Sequence, residues 1–516
     1  MTTLTNWLEV VLRNATSRRA GVIVSYIYSV VQIIVQLLYV PILLRGIGQS
    51  EYGLYQFVGS IMSYLTIINT VLAAGVSKYY SKAFVEGDKT LMENTLAIAK
   101  RLYWVISLIA VIIIGIVCGV VVHAYTNSFT PAQLNEMSLM FAILAADMVV
   151  VMNNTISIAA ITANERFVFL RLTQLMTAVV QPVLVIVFLK IWPSAVLVTA
   201  MTFTANLICA ILQRIFSQGV LKTRYTFHFF DKQLAQELLL FSSTVVLVSL
   251  SDQIFWKSGQ LILGFFYGAD TIAVFSVGSQ IYSVYMVLGT TVASVFLPLV
   301  TDLTLNSRHK ERELSHLFIK VGRISFYVSF LVLAGFFIFG DEFIRLWAGD
   351  AYGDSYFVAL LVMAPFTIDV IQNLGLTILQ VVDKYQFRGY MNMCIAIVNV
   401  LVSVPLGQRF GCVGVACATA FSIFIGNGIF MNMYYEKAIG LDVATFWREI
   451  FGIGFPLAIY GIITFLIWRS LSLHGWFPLI IAGSIFVVFY CLVALLFCFN
   501  EEEKNMTVNR LRIINR

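Results

Sequence analysis

Tyr103 to Val122 reads YWVISLIAVIIIGIVCGVVV, twenty residues without a single charge. A helix rises about 1.5 Å per residue, so a run of this length covers the roughly 30 Å of a bilayer's hydrocarbon. Outward from it, fourteen apolar stretches follow one another, centred near Val35, Ser63, Ile112, Val149, Val183, Ile208, Phe255, Val287, Phe330, Thr367, Val398, Phe421, Ile462 and Val488. The chain of 516 residues is 59% hydrophobic and 12% charged, against about 25% charged in a soluble domain. No water-soluble core absorbs so many apolar runs of that length. The fold class expected is all-α integral membrane, with about fourteen transmembrane helices.

The gaps between stretches are short, so no sizeable soluble domain is expected on either side. Lys and Arg fall in alternate gaps. Of 33 such residues, 27 lie in the amino end, every second gap and the tail. Five (Arg45, Lys190, Arg345, Arg409 and Arg469) lie on the other side, and Lys257 alone sits inside a stretch. Basic residues stay cytoplasmic during insertion, which places both termini in the cytoplasm. Met1–Arg19 is polar, carries Arg13, Arg18 and Arg19, and lacks the cleavage site of a secretory signal, so the first span is expected to stay. The net charge of +6 is dispersed insertion signal rather than a nucleic-acid surface.

An internal repeat is visible. Arg101 and Arg323 open the third and ninth spans, Asp147 and Asp369 lie inside the fourth and tenth, and Arg166 and Arg388 follow those two. All three pairs share one and the same separation along the chain. The runs GQSEYGLY from Gly48 and GADTIAVF from Gly268 correspond more loosely, at a slightly shorter separation. Spans of similar length bring interfacial arginines into phase anyway, whereas intramembrane aspartates are rare. The organisation expected is two pseudo-symmetric six-helix lobes, residues 1–232 (spans 1–6) and 233–440 (spans 7–12). Spans 13 and 14 and a cytoplasmic tail follow, in 441–516. Two repeated halves around a central site is a common transporter layout.

Polar residues inside the spans point towards function. A charge at a helix centre costs about 2.5–3.5 kcal/mol on the insertion scale, so it faces a partner or a wet cavity. Ser249, Gln253, Lys257, Gln260 and Gly264 recur at helical spacing and form one stripe on span 7. Span 1 repeats this with Ser25, Ser29, Gln32, Gln36 and Tyr39, span 10 with Asp369, Asn373, Thr377 and Gln380, and span 4 with Asp147, Asn154 and Ser157. Any single Gln or Ser is accounted for by hydrogen bonding between helices; the stripe around Lys257 is read as lining a water-filled cavity. Asp252 stands about 140° around the helix from Lys257 and is a poor partner for it. Lys257 is the residue expected to contact an anionic substrate such as a phosphate. Asp147 and Asp369 fit proton or cation coupling, and fit hydrogen-bonded helix contacts equally. Arg45 fits interfacial snorkelling as well as substrate contact.

Enzyme readings find little support. The five histidines (His123, His228, His309, His316 and His474) lie in gaps or at span edges, and no nucleotide-binding glycine loop is present. The seven cysteines mostly lie within apolar spans and read as small hydrophobes. No catalytic residue, cofactor or metal is expected.

The run PILLRGIGQSEYGLYQF, Pro41 to Phe57, resembles the first-to-second-helix junction of bacterial O-antigen and capsular polysaccharide flippases, members of the superfamily of multidrug, oligosaccharidyl-lipid and polysaccharide exporters. FIRLWAGDAY from Phe343 and GCVGVACATA from Gly411 agree in order and spacing, and the likeness covers essentially the whole chain. What the resemblance implies is a V-shaped transporter with its two lobes around a central cavity, in the bacterial inner membrane. It would flip polyprenyl-diphosphate-linked oligosaccharide repeat units outward by alternating access, for surface polysaccharide biosynthesis. Its partners would be that substrate, membrane lipids, and the polysaccharide polymerase and chain-length machinery. The substrate-binding residues carried forward are Lys257, Gln253, Gln260, Gln32, Gln36 and Arg45, with Asp147 and Asp369 for ion coupling. The last two helices would form a groove for the lipid tail, as in the peptidoglycan-precursor flippase. The chain departs from the family in one respect: flippase cavities are often rich in Arg and Lys, and here Lys257 is nearly alone in the helix interiors. The rival is a Na⁺- or H⁺-coupled multidrug exporter of the same superfamily, which would favour acidic cavity residues for cationic substrates.

Overall fold

A computed structural model of the protein describes residues 18–228, 243–294, 296–307, 309–501 and 503–504. The amino-terminal residues 1–17, the end of the tail, the lobe boundary at 232/233 and the side chains of Arg18, Arg19 and Ser25 lie outside the described residues. Among the described residues every regular element is a helix. This is what hydrocarbon demands, since a helix satisfies its own backbone hydrogen bonds where water cannot.

Contacts divide the chain into two compact units, Met1–Ala273 and Val274–Arg516. The first holds α1 (Arg18–Ile47), α2 (Gln49–Glu86), α3 (Lys89–Ala124), α4 (Pro131–Ala163), α5 (Phe167–Leu189), α6 (Ala195–Gly219), α7 (Ser243–Tyr267) and the first turn of α8 (Ala269–Ser294). Here α4 packs on α2, α3 and α6, α1 packs on α5, and α7 packs on α2. The second unit holds the rest of α8, then α9 (Leu297–Asn306), α10 (Lys310–Trp347), α11 (Ser355–Ile371), α12 (Asn373–Val381), α13 (Gln386–Ile439), α14 (Val443–Leu471) and α15 (Trp476–Cys498). Its centre is α10, which packs on α11, α14 and α15.

Each of the fourteen span centres read from the sequence falls within a helix. Among the described residues ten helices are long and apolar enough to cross a membrane, or eleven if α11 and α12 count as one span bent by 42°. The protein is a multi-pass membrane protein. The centres at Val398 and Phe421 share α13, whose 54 residues would reach about 81 Å if straight, far beyond a bilayer's hydrocarbon. The helix is broken at Gly411, where φ is +60° and ψ −138°.

Glycines set the turns. Gly48 (φ +86°) precedes α2 and Gly268 (φ +82°) precedes α8, so the two loosely matched runs that begin at these glycines occupy equivalent inter-helix turns. Left-handed backbone favours glycine, which has no Cβ to clash. Within the run that carries the family resemblance, Glu51 Oε2 accepts the Ala195 backbone N–H at 2.7 Å and caps α6. Tyr52 is 1% exposed. A Cβ on Gly53 would stand 1.9 Å from the Ala269 carbonyl oxygen. The run thus joins α2, α6 and the α7–α8 turn.

In the second unit the expectation of Arg323 as an interfacial residue needs correcting. Arg323 is 5% exposed. It donates from Nε and Nη2 to the two Glu503 carboxylate oxygens at 2.8 and 2.7 Å, and from Nη2 to the Cys498 carbonyl at 3.0 Å. A further ion pair joins it to Glu449. It therefore fastens the segment after α15 onto α10, and charge-assisted fork geometry suits Arg to that task. Its repeat partner Arg101 is exposed and stacks on Phe227 at 3.6 Å. Burial works to raise the Glu503 pKa, but the Arg323 hydrogen bonds hold it below the ordinary carboxylate value.

Both contacts can be tested by substitution. Gly53→Ala should lower the stability of the purified protein by about 1–3 kcal/mol through overpacking, read as a fall in melting temperature in detergent. Arg323→Ala leaves Glu503 buried without its base and should cost about 3–5 kcal/mol. Because the folded Glu503 pKa is depressed, its contribution is fully present above the unfolded value of about 4.3. Melting temperature should therefore fall as pH drops below that value, and fall less steeply in Glu503→Gln.

Candidate functional site

The span-7 stripe splits along α7. Gln260 is 3% exposed, and a Cβ on Gly264 would stand 2.6 Å from the Phe57 ring, so this end of the stripe is packed against α2. Ser249, Gln253 and Lys257, earlier on the helix, are half-buried, and Asp252 is exposed. Among the described residues Lys257 forms no hydrogen bond and no ion pair. A half-buried ammonium without a protein partner is the arrangement that a ligand's anion would complete.

On α1, Gln32, Gln36 and Tyr39 are half-buried, while Ser29 and Arg45 are exposed. Gln181 Nε2 donates to the Tyr39 hydroxyl at 3.3 Å and lies 3.4 Å from Thr202 Oγ1. On α4, Asn154 Nδ2 donates to Gln213 Oε1 at 2.7 Å, and Gln213 Nε2 passes the chain to Thr173 Oγ1 at 2.8 Å. Ser157 is buried. Asn154, half-buried, therefore bonds helices together, and with Ser157 it also lines a groove between α3, α4 and α6.

Asp147 on α4 is half-buried, and both its oxygens accept from Asn206 Nδ2 of α6, at 3.0 and 3.2 Å. In the second unit Asp369 of α11 accepts from Asn427 Nδ2 at 2.5 Å and lies 3.5 Å from Arg388 Nη2. Arg388 Nη1 in turn donates to Asn427 Oδ1 at 2.8 Å. Asn206 and Asn427 stand almost as far apart along the chain as the two aspartates do, so the repeat carries a carboxylate–carboxamide pair in each unit. It differs in one respect: Asp369 has a guanidinium partner, and among the described residues Asp147 has no ion pair. Asn427 lies in the π-helical stretch Phe424–Phe430, a local widening that recurs at functional sites.

The span-10 stripe is interrupted. Asp369 ends up on α11 and Asn373 opens α12 beyond the 42° bend; Thr377 is buried and Gln380 exposed. Gln372, at the bend, donates to Asn432 Oδ1 at 2.6 Å. Sequence reading missed Glu51 as a helix cap, the Asn206 and Asn427 partners, and the buried role of Arg323. The two asparagines were within reach, because an offset close to that of the aspartates joins them. Among the described residues no group of three or more His, Cys, Asp or Glu is placed to hold a metal ion.

Comparison with known proteins bears on this geometry. A family model described as "Polysaccharide biosynthesis protein" matches residues 19–304. No match was found among curated protein sequences. Among solved structures, the lipid II flippase MurJ in an inward closed conformation aligns with a TM-score of 0.73 at 14% identity, covering 92% of this chain and 98% of that one. An inward-facing multidrug resistance transporter of the MATE family, from the MOP superfamily, aligns at 0.67 and 12% identity, covering 81% and 95%. A MOP superfamily transporter from Pyrococcus furiosus aligns at 0.54 and 14% identity, covering 79% and 92%. At these identities the likeness is one of fold. The family match spans more than half of the chain, and the protein belongs to the polysaccharide biosynthesis protein family, with the fold of MOP-superfamily transporters.

Proposed function

We propose that the protein flips polyprenyl-diphosphate-linked oligosaccharide repeat units from the cytoplasmic to the outer leaflet of the inner membrane. The observation that carries this reading is Lys257, a half-buried base without a protein partner among the described residues in a chain of this family. A structural neighbour whose alignment covers 92% of this chain is named a lipid II flippase, which supports a lipid cargo. In this reading the diphosphate meets Lys257, a compact and strongly hydrated point charge. Gln253 and the α1 glutamines, Gln32 and Gln36, replace water around the sugars, while Gln260 steadies the packed end of the stripe. The polyprenyl tail stays in lipid, and rocking of the two lobes gives alternating access. Fourteen crossings in a six-plus-six-plus-two arrangement would leave both termini on the basic, cytoplasmic side. A polymerase and chain-length machinery would take the flipped product.

Asp147 is the residue we assign to coupling. Its partner Asn206 is neutral, so a proton or cation at Asp147 changes the local charge. At Asp369 the Arg388 guanidinium already compensates the carboxylate, and we assign that cluster to holding α11 against α13. The membrane potential offers about 2.3 kcal/mol per charge per 100 mV. The uncompensated Asp147 also favours a second reading, ion-coupled export of cationic compounds. Resistance to cationic dyes conferred by the wild-type protein would support that reading.

In a reconstituted assay with lipid-linked oligosaccharide, Lys257→Ala should slow flipping at least tenfold and Lys257→Arg should restore part of it; an unchanged rate in Lys257→Ala would remove the anchor. Asp147→Asn should leave stability within about 1 kcal/mol yet abolish the dependence of flipping on an imposed ion gradient. Arg388→Ala should behave in the opposite way, costing about 3–5 kcal/mol of stability by stranding Asp369.

A further inference from the structure

The first unit carries a groove of about 360 Å³ between α3, α4 and α6, with Tyr225 also in its lining. Lys100 and Arg214 both line it, and no acidic residue does. Lys100 Nζ lies 5.4 Å from the Tyr225 ring centroid, a cation–π contact that keeps the ammonium at the groove. Among the described residues neither base forms an ion pair. The flank is apolar and open: Trp104 is 57% exposed and Ile211 49%. An exposed Trp beside basic side chains is the pattern typical of a membrane interface.

We infer that this groove binds the head group of an anionic phospholipid, with its phosphate between Lys100 and Arg214 and its acyl chains along Trp104 and Ile211. Basic pockets between transmembrane helices are a recurring mode of lipid head-group recognition. Charge complementarity selects the anion, and the exposed apolar flank selects a molecule that also carries chains. The volume lies at the small end of ligand pockets, which suits a glycerophosphate rather than a diphosphate bearing an oligosaccharide. The groove is lined from α3, α4 and α6 and takes in Asn154 and Ser157 of the span-4 stripe; Lys257, which carries the transport reading, is on α7 and not in its lining.

Native mass spectrometry of the full chain in detergent, titrated with phosphatidylglycerol or phosphatidylcholine, tests the assignment. The wild type should hold one phosphatidylglycerol at least tenfold more tightly than phosphatidylcholine. The double variant Lys100→Ala/Arg214→Ala should lose that preference, while Lys82→Ala/Lys437→Ala, which removes the same charge elsewhere, should keep it. Equal binding of the two lipids, or an equal loss in both double variants, would overturn the site. Displacement of phosphatidylglycerol by a polyprenyl diphosphate, in the wild type but not in Lys100→Ala/Arg214→Ala, would also overturn it, because the groove would then belong to the carrier lipid.

Discussion

Inside hydrocarbon a polar group has no water to turn to, so each one must find its partner within the protein. Most of this chain obeys by local means. Ser107 donates to the Tyr103 carbonyl at 2.5 Å and Thr199 to that of Ala195 at 2.9 Å, each within its own helix. Longer side chains reach across helices, as Asn154, Gln213 and Thr173 do in series. Charges obey through larger assemblies: Arg323 gathers Glu503, Glu449 and a backbone carbonyl. Against that background Lys257 stands out: among the described residues it has no hydrogen bond or ion pair, and a base so placed in a helix interior is costly enough to need a purpose.

The two units hold one device in two settings. Each contains an aspartate and an asparagine from different helices, and the two pairs are offset by nearly equal lengths of chain. One ion pair distinguishes them: Arg388 pairs with Asp369, and among the described residues its repeat counterpart Arg166 forms no ion pair with Asp147. With Arg388 present the cluster is closed and charge-balanced, and its worth lies in joining helices. Among the described residues the Asp147–Asn206 pair has no base in an ion pair with it.

Much of the fold could be read from the chain because insertion signals are strong and local. Apolar length and the alternation of basic residues mark each helix independently of its neighbours, and all fourteen centres fall in helices. What depends on tertiary contact was less legible. A polar stripe looks the same whether it faces water or another helix, so Gln260 could not be separated from Gln253 and Lys257 by spacing. The bend at Gln372 leaves no mark in the periodicity, which runs straight through it, whereas the break at Gly411 falls in the gap, marked by Arg409, between the spans centred at Val398 and Phe421. Arg323 resembles any arginine at a span end until Glu503, 180 residues later, is seen beside it. The family-like runs were legible as motifs, yet their physical content is a capping carboxylate and turn or close-contact glycines.

Lys257 is the proposed anchor for an anionic, lipid-linked head group. Equilibrium binding of a polyprenyl-diphosphate-linked oligosaccharide to the purified protein, compared between wild type and Lys257→Gln, addresses it most directly. Gln keeps the polar stripe and removes only the charge. Affinity at least tenfold weaker in Lys257→Gln, with an unchanged melting temperature, is the result predicted here. Equal affinity in the two proteins would contradict it.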